Sequence, residues 1–395
     1  MKKNMVIGLM GAITDNANLG CVALTYSLIK ALQSACERND ISAQYIIFES
    51  SYKTEKVKRM CEELKLDFQN VEWVAIGYVH KMTSVIKYAL RNYNMIQGIK
   101  RCDFIVDLTQ GDSFADIYGK ERFMLYTKIK ELVEKLQIPL VLGPQTYGPF
   151  NDEENKKYAK KVIEHAYKVI SRDQESADYI ASFSDKEVEV TTDLAFMLPY
   201  NACERQDKDK IKVGINVSSL LVKDKIERTE TKFQLKTDYD EYIDLLLEEL
   251  SKDEKYEIYL LPHVGDDAGK MFYEKHQNVI VLERFETPIE AKSVIGSMDI
   301  FIGARMHATI AAFSSGVATI PTAYSRKFSG LYNHLGYDCV VDMQKLTTEQ
   351  ALELTLQYIR DYKKLKEKGN ISIAKINSKS ERTIEIFEEI LRGVK

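Results

Sequence analysis

Two doubly wound α/β domains, each a parallel sheet wrapped by helices, are what this 395-residue sequence predicts. Short continuous apolar runs rich in Val and Ile alternate with helix-like stretches almost end to end. Such runs suit strands buried on both faces of a parallel sheet, and strand–helix–strand alternation implies right-handed crossovers. A polar pause at Asn201–Lys210 splits the pattern into two similar series, in a chain too long for one ordinary core.

In the first series the expected strands are Met5–Met10, Tyr45–Glu49, Val71–Ile76, Phe104–Leu108, Pro139–Gly143 and Lys168–Ile170. Helical spacing lies between them at Cys21–Cys36, Val85–Lys100 and Glu121–Leu136. The second series reads Ile211–Val217, Tyr256–Pro262, Asn278–Leu282, Asp299–Gly303, Val317–Tyr324 and Cys339–Met343. Leu221–Thr237 is charged and aperiodic and reads as a loop. The tail reads as two helices, one from Thr348 to about Lys368 and one after Ile373. The predicted organisation is a first domain over residues 1–200, a second over 201–346, and C-terminal helices over 347–395 packing on both. Two such domains leave a cleft at the carboxyl ends of their strands, where open α/β sheets bind ligands.

Composition narrows the function. With 45% hydrophobic and 29% charged residues the chain has no signature of bulk disorder. A net charge of −4 sets no strong field, so a nucleic-acid role has no support, and any bound anion must be held by local donors. The apolar run after Met1–Asn4 suits a first buried strand better than a secretory leader, since no small-residue cleavage site follows. No run of 18 apolar residues announces a membrane span. Six cysteines (Cys21, Cys36, Cys61, Cys102, Cys203, Cys339) form no C-x-x-C pair, which argues against a zinc site and suits reduced thiols in a cytoplasm.

The loops after the expected strands hold the chemistry. Gly11–Gly20, rich in Gly and Asn, leads into a helix and offers backbone N–H groups to an anion, or is a plain turn. Asp107–Asp116 packs three carboxylates and two hydroxyls; one carboxylate could take a hydroxyl proton, or all could be caps and turns. Gly143–Phe150, stiffened by two Pro, could present Gln145 to a ligand or only turn the chain. Arg172 follows a strand, where a salt bridge to Asp173 is the plain explanation, and His263 stands at another strand end. The most informative stretch is Asp299–Ala308: a buried strand breaks at Gly303 and delivers Arg305 and His307 to a helix N-terminus. Cations there oppose the helix dipole, a conflict that an anionic ligand would remove. A further strand ends in Ser325–Gly330, where Arg326 or Lys327 could complete an anion site.

Taken in order, these loops resemble the polysaccharide pyruvyl transferase family. The matching pieces are Asn18–Gly20, Gly111–Asp116, Gly143–Pro149, Ser171–Asp173, Asp193–Phe196, Gly303–Ala308 and Tyr324–Phe328, spanning about residues 5 to 345. The resemblance implies a GT-B-like pair of Rossmann-like domains facing a cleft, with C-terminal helices. It implies phosphoenolpyruvate as donor, a saccharide, nucleotide-sugar or lipid-linked glycan as acceptor, no cofactor, and no required metal. By the same resemblance Arg172, Arg305 and His307 fall at donor-binding positions, with Lys327 as a third cation. His307 becomes the candidate acid and Asp112 the candidate base, with Asn18, Gly20, Gly111, Ser113, Gln145 and His263 as further substrate-binding candidates. Two positions depart from the family pattern: Cys21 stands where Asp is common, and Gln110 where Gly is common. A cytoplasmic enzyme is implied, and a lipid-linked acceptor would bring it to the inner face of the cell membrane. A GT-B glycosyltransferase, a sugar-nucleotide epimerase and a non-catalytic scaffold of glycan assembly stay open as alternatives. The oligomeric state and the acceptor sugar are not legible.

Overall fold

The computed structural model describes residues 3–77, 91–202, 209–222, 233–265 and 268–394. Cys203, residues 85–90 of the expected Val85–Lys100 helix, and residues 223–232 of the expected loop lie outside them. Contacts divide the chain into two compact units. The first comprises Met1–Asn16, Cys21–Met197 and Lys379–Lys395; the second comprises Ala17–Gly20 and Leu198–Ser378.

The first unit carries a seven-stranded, wholly parallel sheet of β1 (Lys3–Met10), β2 (Ile41–Glu49), β3 (Val71–Ala75), β4 (Phe104–Asp107), β5 (Leu140–Gln145), β6 (Lys168–Ser171) and β7 (Glu189–Val190). Its order is β3-β2-β1-β4-β5-β6-β7. The chain therefore winds outward one way from β1 and the other way from β4, and the two strands flank a topological switch point. The expected parallel α/β architecture holds, with two refinements. The two-residue β7 is too short to show as an apolar run. β5 also runs two residues further than its apolar run suggested, which takes Gln145 into the sheet and buries it fully.

The second unit repeats the plan with six parallel strands: β8 (Ile211–Asn216), β9 (Tyr256–Leu260), β10 (Ile280–Val281), β11 (Ile300–Gly303), β12 (Ala318–Ala323) and β13 (Val341–Asp342). The order β10-β9-β8-β11-β12-β13 puts its switch point between β8 and β11, with Asn216 opposite Gly303.

Ala17–Gly20 packs with this second unit rather than the first. Asn18 bridges Val264, the Gly265 N–H donates to the Ala17 carbonyl at 3.0 Å, and Leu19 is buried with Leu261, Phe301 and Ala308. The helix Leu19–Arg38 that follows is long and apolar enough by composition to cross a membrane, but is mostly buried within the protein.

The tail also differs from expectation. A capping box of Thr347 and Gln350 starts the helix Thr348–Arg360, and the break falls at Asp361. A single 32-residue helix, Tyr362–Gly393, then runs straight through Gly369 and Asn370. Gly in a helix interior costs up to about 1 kcal/mol relative to Ala. A Cβ at Gly369 would meet the Phe313 ring at 3.6 Å, an ordinary contact distance, so packing there does not require glycine. Residues 379–393 of this helix belong to the first unit, where Arg382 reaches Glu189 and Glu389.

Candidate active site

In the second unit the chain leaves β8 as Val217-Ser218-Ser219 and leaves β11 as Ala304-Arg305-Met306-His307, both at the carboxyl edge beside the switch point. Arg305 is the N-cap residue of the helix Met306–Ser314, in extended backbone, and contributes no side-chain cap. Its Nη2 donates instead to Ser219 Oγ at 3.1 Å. His307 lies in the first turn of that helix, against Gly20. A Cβ placed on Gly20 would fall 2.6 Å from His307 Cγ and 2.9 Å from His307 Cβ, so only glycine fits beside this imidazole. Asn18 Oδ1 accepts the Gly20 N–H at 3.0 Å and shapes that approach.

His263 joins the group from the loop after β9. It is 5% exposed, and burial pushes its pKa down to about 3, with further lowering from His307 and Arg305. A neutral His263 adds no charge but can still donate or accept a hydrogen bond. Two buried polar atoms at the same edge, Asn216 Oδ1 and Ser218 Oγ, have no hydrogen-bond partner among the described residues. Buried polar groups are normally satisfied, so these mark where a polar ligand or water belongs. Lys327 sits in the first turn of the helix Arg326–His334; its side chain and that of Arg326 lie outside the described residues.

In the first unit several of the ordered motifs converge. Arg172 does not pair with Asp173. Its Nη1 donates to Asp193 Oδ2 at 2.7 Å and its Nε to Thr146 Oγ1 at 2.8 Å, both within a buried pocket. Asp173 caps the helix Gln174–Ala181 through the Ser176 N–H and also accepts from Thr146. Gly111 (φ +90°) closes over the Arg172 guanidinium, where a Cβ would lie 3.3 Å from Nη1 and 2.5 Å from Leu24. The Thr146 N–H donates to the Gly111 carbonyl at 2.8 Å, and the Gly148 N–H to that of Phe114 at 2.9 Å. Beneath these loops Phe114, Phe123, Phe150 and Tyr179 pack edge-on, stacked or tilted at 5.5–6.0 Å between centroids.

The turn after β4 is held from below. Lys130, fully buried, lies 3.2 Å from Asp107 Oδ2, donates to Thr109 Oγ1 at 2.9 Å, and sits 4.8 Å from the Phe114 ring centroid. Burial lowers its pKa while Asp107 acts to raise it. Asp107 also accepts from Thr109 Oγ1 and, through its carbonyl, from Gln145 Nε2 at 3.0 Å. Gln145 is thus turned into the interior and supports the turn instead of lining its outer face. Thr109 and Gln110 take φ values of +41° and +56°, a region unfavourable to residues with a Cβ. The Gln110 amide is bridged on both sides: Nε2 donates to Tyr126 Oη at 2.7 Å, and Oε1 accepts from Arg122 at 3.1 Å. This accounts physically for Gln at a strained position.

Asp112, half-buried, accepts from the Tyr118 hydroxyl at 3.0 Å, and buried Ser113 accepts from Arg122 Nη2 at 2.9 Å. Cys21 lies in this neighbourhood; burial and then the Asp112 charge push its thiol up to about 11, so it is a neutral group at ordinary pH. Arg122 and Tyr118 did not stand out in the sequence: Arg122 falls in the first turn of the expected Glu121–Leu136 helix, and Tyr118 just before it. Among the described residues no group of His, Cys, Asp and Glu could hold a metal ion.

Two kinds of comparison place this geometry among known proteins. The structure resembles UDP-GlcNAc 2-epimerase from Neisseria meningitidis bound to UDP-GlcNAc (TM-score 0.59, 13% identity, 98% of this chain and 99% of that one). It also resembles the Anabaena HepE protein in complex with UDP-glucose (TM-score 0.58, 12% identity, 98% and 99%) and UDP-GlcNAc 2-epimerase from Methanocaldococcus jannaschii (0.56, 10%, 90% and 92%). At these identities the likeness is one of fold, GT-B-like with two parallel-sheet domains. A search of curated sequences gave no match. The family model for polysaccharide pyruvyl transferase matches residues 18–326, which includes both strand-end clusters. The chain belongs to the polysaccharide pyruvyl transferase family.

Proposed function

We propose that this transferase moves the enolpyruvyl carbons of phosphoenolpyruvate onto two hydroxyls of a saccharide, forming a pyruvate ketal in cell-surface or exopolysaccharide biosynthesis in the cytoplasm. The observation that carries the reading is the cluster at the second switch point: Arg305 and His307 at a helix N-terminus, beside Ser219 and a neutral His263. Phosphoenolpyruvate puts a phosphate and a carboxylate on a small frame. Planar guanidinium forks suit both groups, and backbone N–H groups at the helix start add to them.

In the proposed chemistry His307 donates a proton to the methylene carbon, which leaves the adjoining carbon electrophilic. A first sugar hydroxyl forms a C–O bond there and gives its proton to a carboxylate base. The C–O bond to phosphate then breaks with its electron pair leaving on phosphate. A second hydroxyl adds to the same carbon and loses its proton, closing the ketal. Lys327 enters as a third cation on family resemblance only.

Donor-dependent phosphate release against a panel of saccharide, nucleotide-sugar and lipid-linked acceptors tests this, with product mass checked for the added pyruvate ketal. A charge-assisted hydrogen bond is worth about 1.5–3 kcal/mol, so Arg305→Lys should weaken donor binding about 10- to 100-fold. His307→Ala should slow release by roughly 10²–10⁴; an unchanged rate would remove His307 from the mechanism. The rival reading is a nucleotide-sugar enzyme. It draws on the fold likeness and on a cavity of about 250 Å³ beyond β9 and β10, lined by Leu261, Pro262, Lys270 and Arg284 among others. A thermal shift with UDP-sugars and none with phosphoenolpyruvate would favour that rival.

A further inference from the structure

Arg122 lies in the first turn of the helix Lys120–Lys135, and its side chain is exposed. Its Nη2 donates both to Gln110 Oε1 and to Ser113 Oγ, and its guanidinium carbon lies 5.2 Å from the Tyr118 ring centroid and 5.8 Å from that of Tyr126. Those hydrogen bonds engage one terminal nitrogen. Nε and Nη1 hold three further N–H donors, and among the described residues no carboxylate comes within ion-pairing distance of them. The fork is therefore oriented by Gln110 and Ser113 while most of its donors remain available.

Its surroundings suit a sugar. Asp112, next in sequence to Ser113, offers carboxylate oxygen to ring hydroxyls and is held by Tyr118 Oη. Tyr118 and Ile117, 46% and 54% exposed, supply an aromatic ring and an aliphatic surface for the C–H face of a pyranose. Burial and the neighbouring Asp112 raise the Tyr118 phenol, so it stays a donor. A carboxylate and an oriented guanidinium side by side match a ligand with neutral hydroxyls at one end and an anion at the other.

We propose that this patch binds the acceptor saccharide, and that Arg122 selects acceptors carrying an anionic group, either a uronic acid carboxylate or a sugar phosphate. The word acceptor rests on the pyruvyl-transfer reading; the binding claim does not.

The test is binding of glucose, glucuronic acid and glucose 1-phosphate to the full chain, by calorimetry or ligand-observed NMR, without donor. At least one anionic probe should bind about 10- to 100-fold more tightly than glucose. Arg122→Gln should bring that ratio close to one, while Arg305→Gln, in the second unit, should leave it intact. Preference for glucuronic acid assigns a carboxylate, and preference for glucose 1-phosphate a phosphate. Equal binding of all three probes overturns the proposal, as does a preference that survives in Arg122→Gln or vanishes only in Arg305→Gln. If Arg122→Gln fails to fold, the wild-type ratio decides: screening must shrink it between about 50 mM and 500 mM salt, and a salt-independent ratio overturns the proposal. Absence of ketal formation with the Arg122-dependent preference intact would sink pyruvyl transfer alone.

Discussion

Gly20→Ala separates a designed contact from a chance one. Alanine should suit the start of the helix Leu19–Arg38, and by propensity alone would stabilise it by up to about 1 kcal/mol. The surroundings reverse that sign. The new Cβ would fall 2.6 Å from His307 Cγ and 2.9 Å from His307 Cβ, against an ordinary separation of at least 3.4 Å, so the ring must move by about 1 Å. Overpacking of this kind costs about 1–3 kcal/mol, and a 1 Å displacement of a catalytic group costs about 10²-fold in rate. Urea denaturation of wild type, Gly20→Ala, His307→Ala and the double variant gives the coupling directly. The Gly20→Ala penalty should shrink by about 0.5–3 kcal/mol once the ring is gone. It should not vanish, because an alanine at 307 keeps its own Cβ. In phosphate-release assays Gly20→Ala should lose rate alone and lose little more when added to His307→Ala. Additive stabilities together with a wild-type rate in Gly20→Ala would refute the idea that Gly20 seats the imidazole.

Two other perturbations follow from buried groups. Asp193→Asn leaves the Arg172 guanidinium buried without its counter-charge, so chemical denaturation should show a loss of about 3–5 kcal/mol; a loss below about 1 kcal/mol would mean the pair contributes little. His263, held near pKa 3 against an ordinary 6.5, refuses a proton that the unfolded chain accepts. Its contribution is intact above pH 6.5 and falls as pH drops from 6.5 toward 3, by about 1.4 kcal/mol per unit, or about 2 kcal/mol by pH 5. Glu49, pushed up to about 7 by burial, acts the other way over pH 4.5–7. His263→Asn should therefore be compared with wild type by urea midpoints at pH 7 and pH 5: the variant should be less acid-sensitive, and equal sensitivity would remove the claim.

Much of the fold was legible because it rests on patterns that burial forces on a sequence. A strand covered on both faces must be apolar throughout, and β1, β4 and β11 announce themselves that way. Strand-end loops were legible too, since a parallel sheet places its polar turns at one edge. What stayed hidden depends on tertiary packing. Nothing local says that Ala17–Gly20 pairs with Val264, or that the last helix runs on through Gly369 and Asn370. Gln145 looked like a ligand group because its strand was read two residues too short. Arg122 was invisible for a different reason: its partners, Gln110 and Ser113, reach it only once the turn at Thr109–Gly111 takes its left-handed course.

The two arginines that family resemblance grouped together are not equivalent. Arg172 already faces Asp193 at 2.7 Å, inside a pocket closed by Gly111. The pair is close to neutral as a unit, so its pull on a distant anion is weak, and its hydrogen bonds tie the Thr146, Gly111 and Asp193 loops to one another. Among the described residues Arg305 donates to a neutral hydroxyl, Ser219 Oγ, and it stands beside His307 and an uncharged His263. A dianionic donor should therefore depend on Arg305 for affinity and on Arg172 for the shape of the first unit. Arg305→Lys should raise the donor dissociation constant about 10- to 100-fold with little change in the urea midpoint. Arg172→Lys should do the reverse, because an ammonium cannot serve Asp193 and Thr146 in the same fork geometry. Calorimetric titration of phosphoenolpyruvate into both variants, alongside their denaturation curves, reads the two effects separately. Donor affinity lost equally in both, with both folded as stably as wild type, would return Arg172 to the donor site and leave the Asp193 pair as a secondary feature.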